Sequence, residues 1–516
     1  MSETFLLGID NGGTVAKAAV FSRDGRELAV AACKTESLTP LQGWVEFDAE
    51  ALWQATAAAV RNAIDKAAIP PDKIAAIGCT GHGNGVYLVD ADGHPVRNAI
   101  FSADTRAREY VERWTAAGID RVVRPKTMQS LWPGQPNALL AWLAEHEPDI
   151  VDRTRWCLMC KDYTRMRLTG EAFAEQTDMS GTSLLDVRTG HYDAELLDAF
   201  GLGTWGEKLP PVRLATDVCG RVTSTAAALT GLAPGTPVAG GLFDIDACAL
   251  SSALLDEHQL GMTFGTWGIN QYVAPTPVVD KVFMTSRYCV PGYYLMLEGS
   301  ATSAANLEWF LAQFLGPDTR LAHEDGLDPY ARVDAWVDQT AVDEAGLIFL
   351  PFLYGSSVGA DATGCLIGLS ARHTRCHVAR AVYEGIVFGH LLHLKRLLAF
   401  RAMPETIRAS GGAARSDVWM QMAADVLQCP VEVPDGMEMG ALGAAMCAAV
   451  AIGVHADYRA ACAAMTRCSR RFVPRENPAR IYAAKVARFA RLLETLEPAW
   501  ADLAWRGGNS NLKDKP

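Results

Sequence analysis

No apolar run in the 516-residue chain approaches the ~18 residues that a membrane-crossing helix needs. The N-terminus reaches a charged turn at Asp10 with neither a basic segment nor a long apolar one ahead of it, so no secretion signal is expected. Extended runs of Lys and Arg are also missing, and the formal net charge is −12. A surface that follows a phosphate backbone needs clustered cations, which argues against nucleic acid as the main partner. A phosphorylated small molecule needs only a local anion site and stays open. The 13 cysteines lie singly, without the spacing of a disulfide or zinc framework. They read as reduced, mostly buried thiols in a cytoplasmic protein. Cys157 and Cys160 form a lone CxxC without a second pair, which reads as core packing.

What is present is a globular composition, 49% hydrophobic and 21% charged. At roughly 100–200 residues per domain, the length suggests two to four domains, or two large ones. The chain is organised around Leu6 to Phe21. An apolar run ends on Asp10, turns through Asn11, Gly12, Gly13 and Thr14, and resumes as Val15 to Phe21, carrying Lys17. The pattern predicts a β-hairpin. Adjacent glycines let backbone N–H groups approach an anion, and an acid at a strand end suits Mg²⁺. An ordinary hairpin with a surface aspartate fits the same residues. Glu27 to Cys33 reads as a third strand and Ala49 to Ala67 as a helix capped by Asp48.

Lys73 to Cys79 reads as a buried strand opening into His82, Gly83 and Asn84, which are ligand-binding or simply turn residues. Asp104 and Arg106 begin a helix, either as an ion pair or with the carboxylate facing a cleft. Gly240 and Gly241 precede Asp244, a second acid at a strand end, and a small-residue helix follows. The second half repeats the device: a strand to Phe264, a turn at Gly265 and Thr266, and a returning strand from Ile269. Such duplication implies two related domains facing one another across a cleft, with a boundary near Ala253 to Gly261. Glu298 to Phe314 and Val378 to Phe400 read as helices, and His390 with His393 as packing rather than metal ligands. Ser410, Gly411 and Gly412 lie between a strand and a helix, where a nucleotide fits closely. The tail past Leu493, thinning to Gly507–Ser510, reads as frayed.

In their order and spacing these pieces resemble the FGGY-type sugar kinases of the actin/hexokinase superfamily, over about residues 4 to 490. The resemblance rests on Gly8-Ile9-Asp10 through Lys17, Gly43-Trp44-Val45-Glu46, Asp104-Thr105-Arg106, Gly240 to Asp244 and Gly265-Thr266. It continues through Arg380 to Gly385, Ser410-Gly411-Gly412 and Ala423-Ala424-Asp425. It implies an α/β fold of two ribonuclease H-like domains facing a central cleft, residues 1–253 and 254–495, followed by a tail at 496–516. It further implies transfer of the ATP γ-phosphate to a hydroxyl of a ketopentose, L-xylulose first, with another pentulose or a polyol such as erythritol as alternatives. A sugar-independent actin- or chaperone-like ATPase is the reading from another class. Residue by residue, the resemblance makes Asp244 the general base and sets Asp10 and Asp244 at Mg²⁺. Gly12, Gly13, Thr14, Lys17, Gly265 and Thr266 fall at the ATP phosphates, and Ser410, Gly411 and Gly412 beside the adenosine. His82, Gly83, Asn84, Asp104 and Asp244 are then the sugar contacts. A cytoplasmic enzyme acting on sugar and ATP, possible as a homodimer and without membrane or nucleic-acid partners, completes the implication. His82 and Ser102 depart from the residues usual in ketopentose kinases, Gln and Trp. Gly83-Asn84 replaces the Arg-Glu pair of glycerol kinases, which counts against glycerol.

Overall fold

The computed structural model describes residues 4–280, 282–314, 328–344, 346–356, 358–359, 361–436 and 438–503. They form two compact units that are not consecutive halves. The first contains residues 1–257, 272–297 and 434–467, and the second 258–271, 298–433 and 468–516. The expected single boundary near residue 253 is thus replaced by interleaving. The segment 434–467 joins the first unit through a helix laid on the N-terminal sheet, and 272–297 joins it through the contact of the strand Met284–Arg287 with the short helix Gln176–Met179.

In the first unit the predicted hairpin is present, Phe5–Asn11 paired antiparallel with Val15–Ser22, Asp10 opposite Lys17. Glu27–Lys34 extends it on one side. On the other side Ile74–Gly81 runs parallel to Phe5–Asn11, followed outward by Pro237–Ala239 and Val218–Arg221. Ala49–Ala67 forms the expected helix, and Asp48 caps it by accepting from the N–H groups of Glu50 and Ala51. Its face of Leu52, Trp53, Val60 and Ile64 joins Leu7, Ile9, Val20 and Ile77 in the core. The helix Met439–Ala451 lies against the strands Phe5–Asn11 and Ile74–Gly81. Gly8 and Gly78 make that approach possible, since a Cβ on either would overlap the carbonyl of Ala441 or Ala444.

The second unit repeats the plan. Gln259–Phe264 and Gly268–Ala274 form an antiparallel hairpin, and Thr406–Ser410 runs parallel to its first strand. Val431–Pro434 and Cys468–Phe472 continue outward from Thr406–Ser410. Three expectations need correction. The span Glu298 to Phe314 is not one helix: Tyr294–Ser300 is a strand, and the helix Ala305–Phe314 starts only after the Ser/Thr-rich break. The long helix runs Arg375–Leu397, three residues earlier than expected, because Thr374 and His377 form a capping box. Between the helices Pro136–His146 and Cys160–Thr169, Trp156–Leu158 pairs with Tyr87–Val89 as a strand. The tail does not begin at residue 496: Trp500 is buried, edge-on to Phe352. Gly507–Ser510 lie outside the described residues.

Candidate active site

Three neighbouring parallel strands fix the site of the first unit. Asp10 lies opposite Thr80 and Asn11 opposite Gly81, while on the far side of Ile74–Gly81, Leu242 lies opposite Thr80 and Phe243 opposite Gly81. Asp10, His82 and Asp244 therefore stand at the carboxyl ends of adjacent strands, where α/β sheets collect ligands. Asn11 locks this corner, donating to Thr164 Oγ1 at 2.7 Å and accepting from Thr56 Oγ1 at 3.1 Å. Its carbonyl accepts the His82 N–H at 2.9 Å.

Asp244 is the first residue of the helix Asp244–Ser251, and its Oδ1 accepts the Ile245 N–H at 2.8 Å. Burial, reinforced by the like charges of Asp178 and Asp10, pushes its pKa up to about 8. Asp10 is raised to about 6 by burial, with Lys17 opposing and Glu438 adding to the shift. Lys17 Nζ is held 2.7 Å from Glu438. Gly440, in the first turn of Met439–Ala451, leaves room for the Asp10 carboxylate, which a Cβ there would overlap. Carboxylates that burial and mutual repulsion keep from ionising are the donor set a hard divalent cation relieves, so these residues fit Mg²⁺. Among the described residues the one His/acid cluster of metal-ligand geometry is Asp90, Asp92 and His94, away from this corner and without a deeply buried member.

Gly12 donates to the Val15 carbonyl at 3.1 Å, Thr14 is exposed, and Gly13 lies against the Phe101 ring. His82 is buried, with Nε2 at 2.8 Å from Tyr87 Oη and the Phe101 ring edge-on at 4.7 Å. Burial lowers its pKa to about 4, so the ring is neutral at pH 7. His82 Nδ1 and Asn84 Oδ1 are buried without a hydrogen-bond partner among the described residues. Asn84 holds a left-handed backbone (φ 59°), and a Cβ on Gly83 would overlap the Phe243 ring. Two unpaired polar atoms beside two acids are a costly arrangement in the absence of a hydroxylated ligand.

Asp104 takes the ion-pair arrangement. Its oxygens accept from Val45 N–H at 2.7 Å and from Arg106 Nε and Nη2 at 3.0 and 2.8 Å. Arg106 also reaches Glu46 at 2.7 Å and lies over the Trp44 ring, so Gly43–Glu46 and Asp104–Arg106 form one clamp. With its side chain fully covered, Asp104 holds this clamp instead of presenting a free carboxylate.

Sequence reasoning missed Asp178. It is buried at the end of the one-turn helix Gln176–Met179, and Lys161 Nζ lies 3.3 Å away. Lys161 also meets Asp162 at 2.8 Å and Glu175 at 3.5 Å. Burial and the neighbouring acids raise the pKa of Asp178. A charged quartet reads in sequence as a solvated surface; the apolar run Trp156–Met159 ahead of Lys161 and Asp162 was the one hint, and Glu175 and Asp178 stand among polar residues.

In the second unit two turns lie side by side. Thr263 pairs in register with Ser410, their hydroxyls 3.0 Å apart, so Gly265–Thr266 and Gly411–Gly412 leave adjacent strand ends. Gly411 has φ +89°, and a Cβ there would overlap the backbone of Phe264 and Gly265. Gly412 faces open space. This glycine-lined pair of strand ends fits a nucleotide and its phosphates. Beneath it, His390 bonds Asn270 and Ser303, each at 3.0 Å, and packs on Phe264. His393 bonds Ser300 at 2.7 Å.

A hairpin with a parallel third strand in each unit, acids at the strand ends of one and glycine turns at those of the other, defines an actin/hexokinase-type phosphotransferase. The chain belongs to the FGGY family of carbohydrate kinases, whose N-terminal domain matches residues 5–251 and C-terminal domain residues 260–452. It is 37% identical over 495 residues to the L-xylulose/3-keto-L-gulonate kinase of Escherichia coli K12, covering 96% of this chain and 97% of the relative. It is 30% identical over 464 residues to the erythritol kinase of Brucella abortus, covering 87% and 88%. The crystal structure of xylulose kinase from Rhodospirillum rubrum superposes with a TM-score of 0.86 at 29% identity, covering 96% of this chain and 100% of that one. The protein is a sugar phosphotransferase.

Proposed function

We propose that this carbohydrate kinase transfers the γ-phosphate of ATP to a hydroxyl of a ketopentose, L-xylulose before other pentuloses, in carbohydrate catabolism. The observation that carries the reading is Asp244, a carboxylate of raised pKa at a strand end, beside Asp10 and two unpaired sugar-type hydrogen-bonding groups. The sugar hydroxyl oxygen attacks the γ-phosphorus, the bond from that phosphorus to the β,γ-bridging oxygen breaks, and ADP leaves. Asp244 takes the hydroxyl proton as the attack proceeds; a pKa near 8 makes it a strong enough base to do so. Asp10 and Asp244 are the residues that would hold Mg²⁺, which when bound neutralises phosphate charge. Gly13, Thr14, Gly265 and Thr266 offer backbone donors to the phosphates, Gly12 closes the first turn through its own N–H to Val15, and Lys17 adds a cation close by. Ser410, Gly411 and Gly412 take the adenosine. His82 Nδ1, Asn84 and the Gly83 backbone orient the sugar, and Asp104 acts through the clamp that closes this side.

The substrate preference is supported by the 37% identical L-xylulose/3-keto-L-gulonate kinase, ahead of the more distant erythritol kinase. Free thiols throughout the described chain, and no described helix long and apolar enough to cross a membrane, support a cytoplasmic enzyme. The test is ADP release with ATP and Mg²⁺ against L-xylulose, D-xylulose, L-ribulose, 3-keto-L-gulonate, erythritol and glycerol. Preference for L-xylulose is expected. Preference for a polyol overturns the substrate, and rapid release without any sugar overturns the reading itself.

A further inference from the structure

Behind the strand end that carries Asp244, the first unit encloses a cavity of about 490 Å³, within the range of small-molecule sites, ~300–1,000 Å³. None of the residues assigned above to sugar, metal or nucleotide lines it. Its walls come from four separated regions, residues 175–177, 214–216, 287–294 and 450 with 456–459.

Three of those walls are hydrogen-bonded to the segment that holds the base. Ala215 accepts the Gly241 N–H at 3.2 Å. Thr177 Oγ1 accepts the Phe243 N–H at 3.0 Å while donating to Glu175 at 2.7 Å. Cys289 donates its N–H to Asp246 at 3.1 Å. The chain is thus gripped at residues 241, 243 and 246, on both sides of Asp244, by residues that face the cavity.

The lining says what fits. Tyr293, Tyr294, Val290, Pro291 and Val450 supply ring and apolar faces. Arg287 donates to Gln176 Oε1 and to the carbonyls of Val187 and Arg188, all at 2.9 Å, and these acceptors are neutral. Arg459 is half-exposed; it donates to the Leu255 carbonyl at 3.0 Å and stands 3.8 Å from Asp256. The two lining acids are committed elsewhere. Glu175 faces Lys161 and holds Thr177, and Asp457 caps a helix by accepting the Ala460 N–H at 2.8 Å. Arg287 therefore brings a guanidinium charge that none of its acceptors neutralises, while Arg459 shares its charge with Asp256; the Arg287 charge favours a phosphate or carboxylate, and Arg459 borders it.

We propose that this cavity is an effector site for a sugar-sized organic anion, whose occupancy adjusts the strand-to-helix segment carrying Asp244. The binding stands on the cavity alone; only its kinetic consequence rests on Asp244 being the base. Full-length protein is titrated calorimetrically with an aldopentose 5-phosphate, which is not the product of the proposed reaction, and, separately, with gluconate, which distinguishes a phosphate head from a carboxylate one. Ala456 is exposed at the cavity rim, so Ala456→Trp blocks the space without disturbing the core. At least one anion is expected to bind wild type, about tenfold more weakly to Arg459→Ala and not to Ala456→Trp. Without the anion, both variants should keep the wild-type KM and kcat for sugar. Binding that survives in both variants belongs to the active site and overturns the proposal, as does failure of both anions to bind wild type. A chain that phosphorylates none of the sugars yet binds as expected refutes the ketopentose reading and leaves the cavity site standing.

Discussion

Asp244 owes its basicity to what surrounds it. Burial disfavours its charge, and Asp178 and Asp10 add repulsion in that order. Catalysis needs the ionised form, so kcat/KM at subsaturating sugar should rise with pH, pass its half-maximum near 8 and level off above that. Asp178 touches Lys161 and not a water-exposed surface, so its charge acts through a poorly screened medium. Replacing it by Asn removes a negative neighbour, which favours ionisation of Asp244 and lowers its pKa. The pH–rate profile of Asp178→Asn is therefore expected to rise at lower pH than that of wild type. Asp244→Asn is the reference: it should lose about 10²–10⁴-fold in kcat at every pH while still binding ATP. A profile in Asp178→Asn that stays in place, or moves upward, would remove Asp178 from the electrostatics of the base.

At the scale of elements, the site depends on how closely Met439–Ala451 lies on the strands Phe5–Asn11 and Ile74–Gly81. Gly78→Ala puts a methyl into the Ala444 carbonyl, with backbone on both sides and no flexible side chain to give way. A loss of about 1–3 kcal/mol is expected, read as a lower urea midpoint at unchanged slope. A midpoint within error of wild type would mean that the helix can lift without cost. The hairpin beside this helix was legible because an Asn-Gly turn between apolar runs is a local signal, as was Asp48 before Ala49–Ala67. The strand Tyr294–Ser300 was not, because a continuous apolar run has no period to tell strand from helix. Nor was the packing of residues 272–297 and 434–467 with the first unit, since sequence order carries no information about which distant segments meet. Asp10, His82 and Asp244 were legible as strand-end residues. Lys161, Glu175 and Asp178 were not, because buried charge is visible only once its partners are placed.

For the whole molecule, the acid cluster makes stability depend on pH in an unusual direction. Most paired carboxylates have lowered folded-state pKa values and stabilise above them. Asp10 and Asp244 are instead raised from 3.8, to about 6 and about 8. The unfolded chain releases these protons first, so their stabilising contribution is complete below about pH 4 and is lost as pH climbs through 6 to 8. A divalent cation at the cluster removes the repulsion that causes the loss, and binding to the native state alone adds stability by mass action. Mg²⁺ is therefore expected to raise the melting temperature more at pH 8 than at pH 5.5, where protons already occupy much of the cluster. In the double variant Asp10→Asn, Asp244→Asn the metal-free protein should melt higher than wild type at pH 8, with the response to Mg²⁺ gone. Ion pairs elsewhere, such as Arg475 with Asp425, shift both proteins alike and cancel in this comparison. An equal Mg²⁺ response at the two pH values, or one that persists in the double variant, would place the metal away from Asp10 and Asp244. Catalysis and stability are then opposed at the same two side chains, and the metal reconciles them.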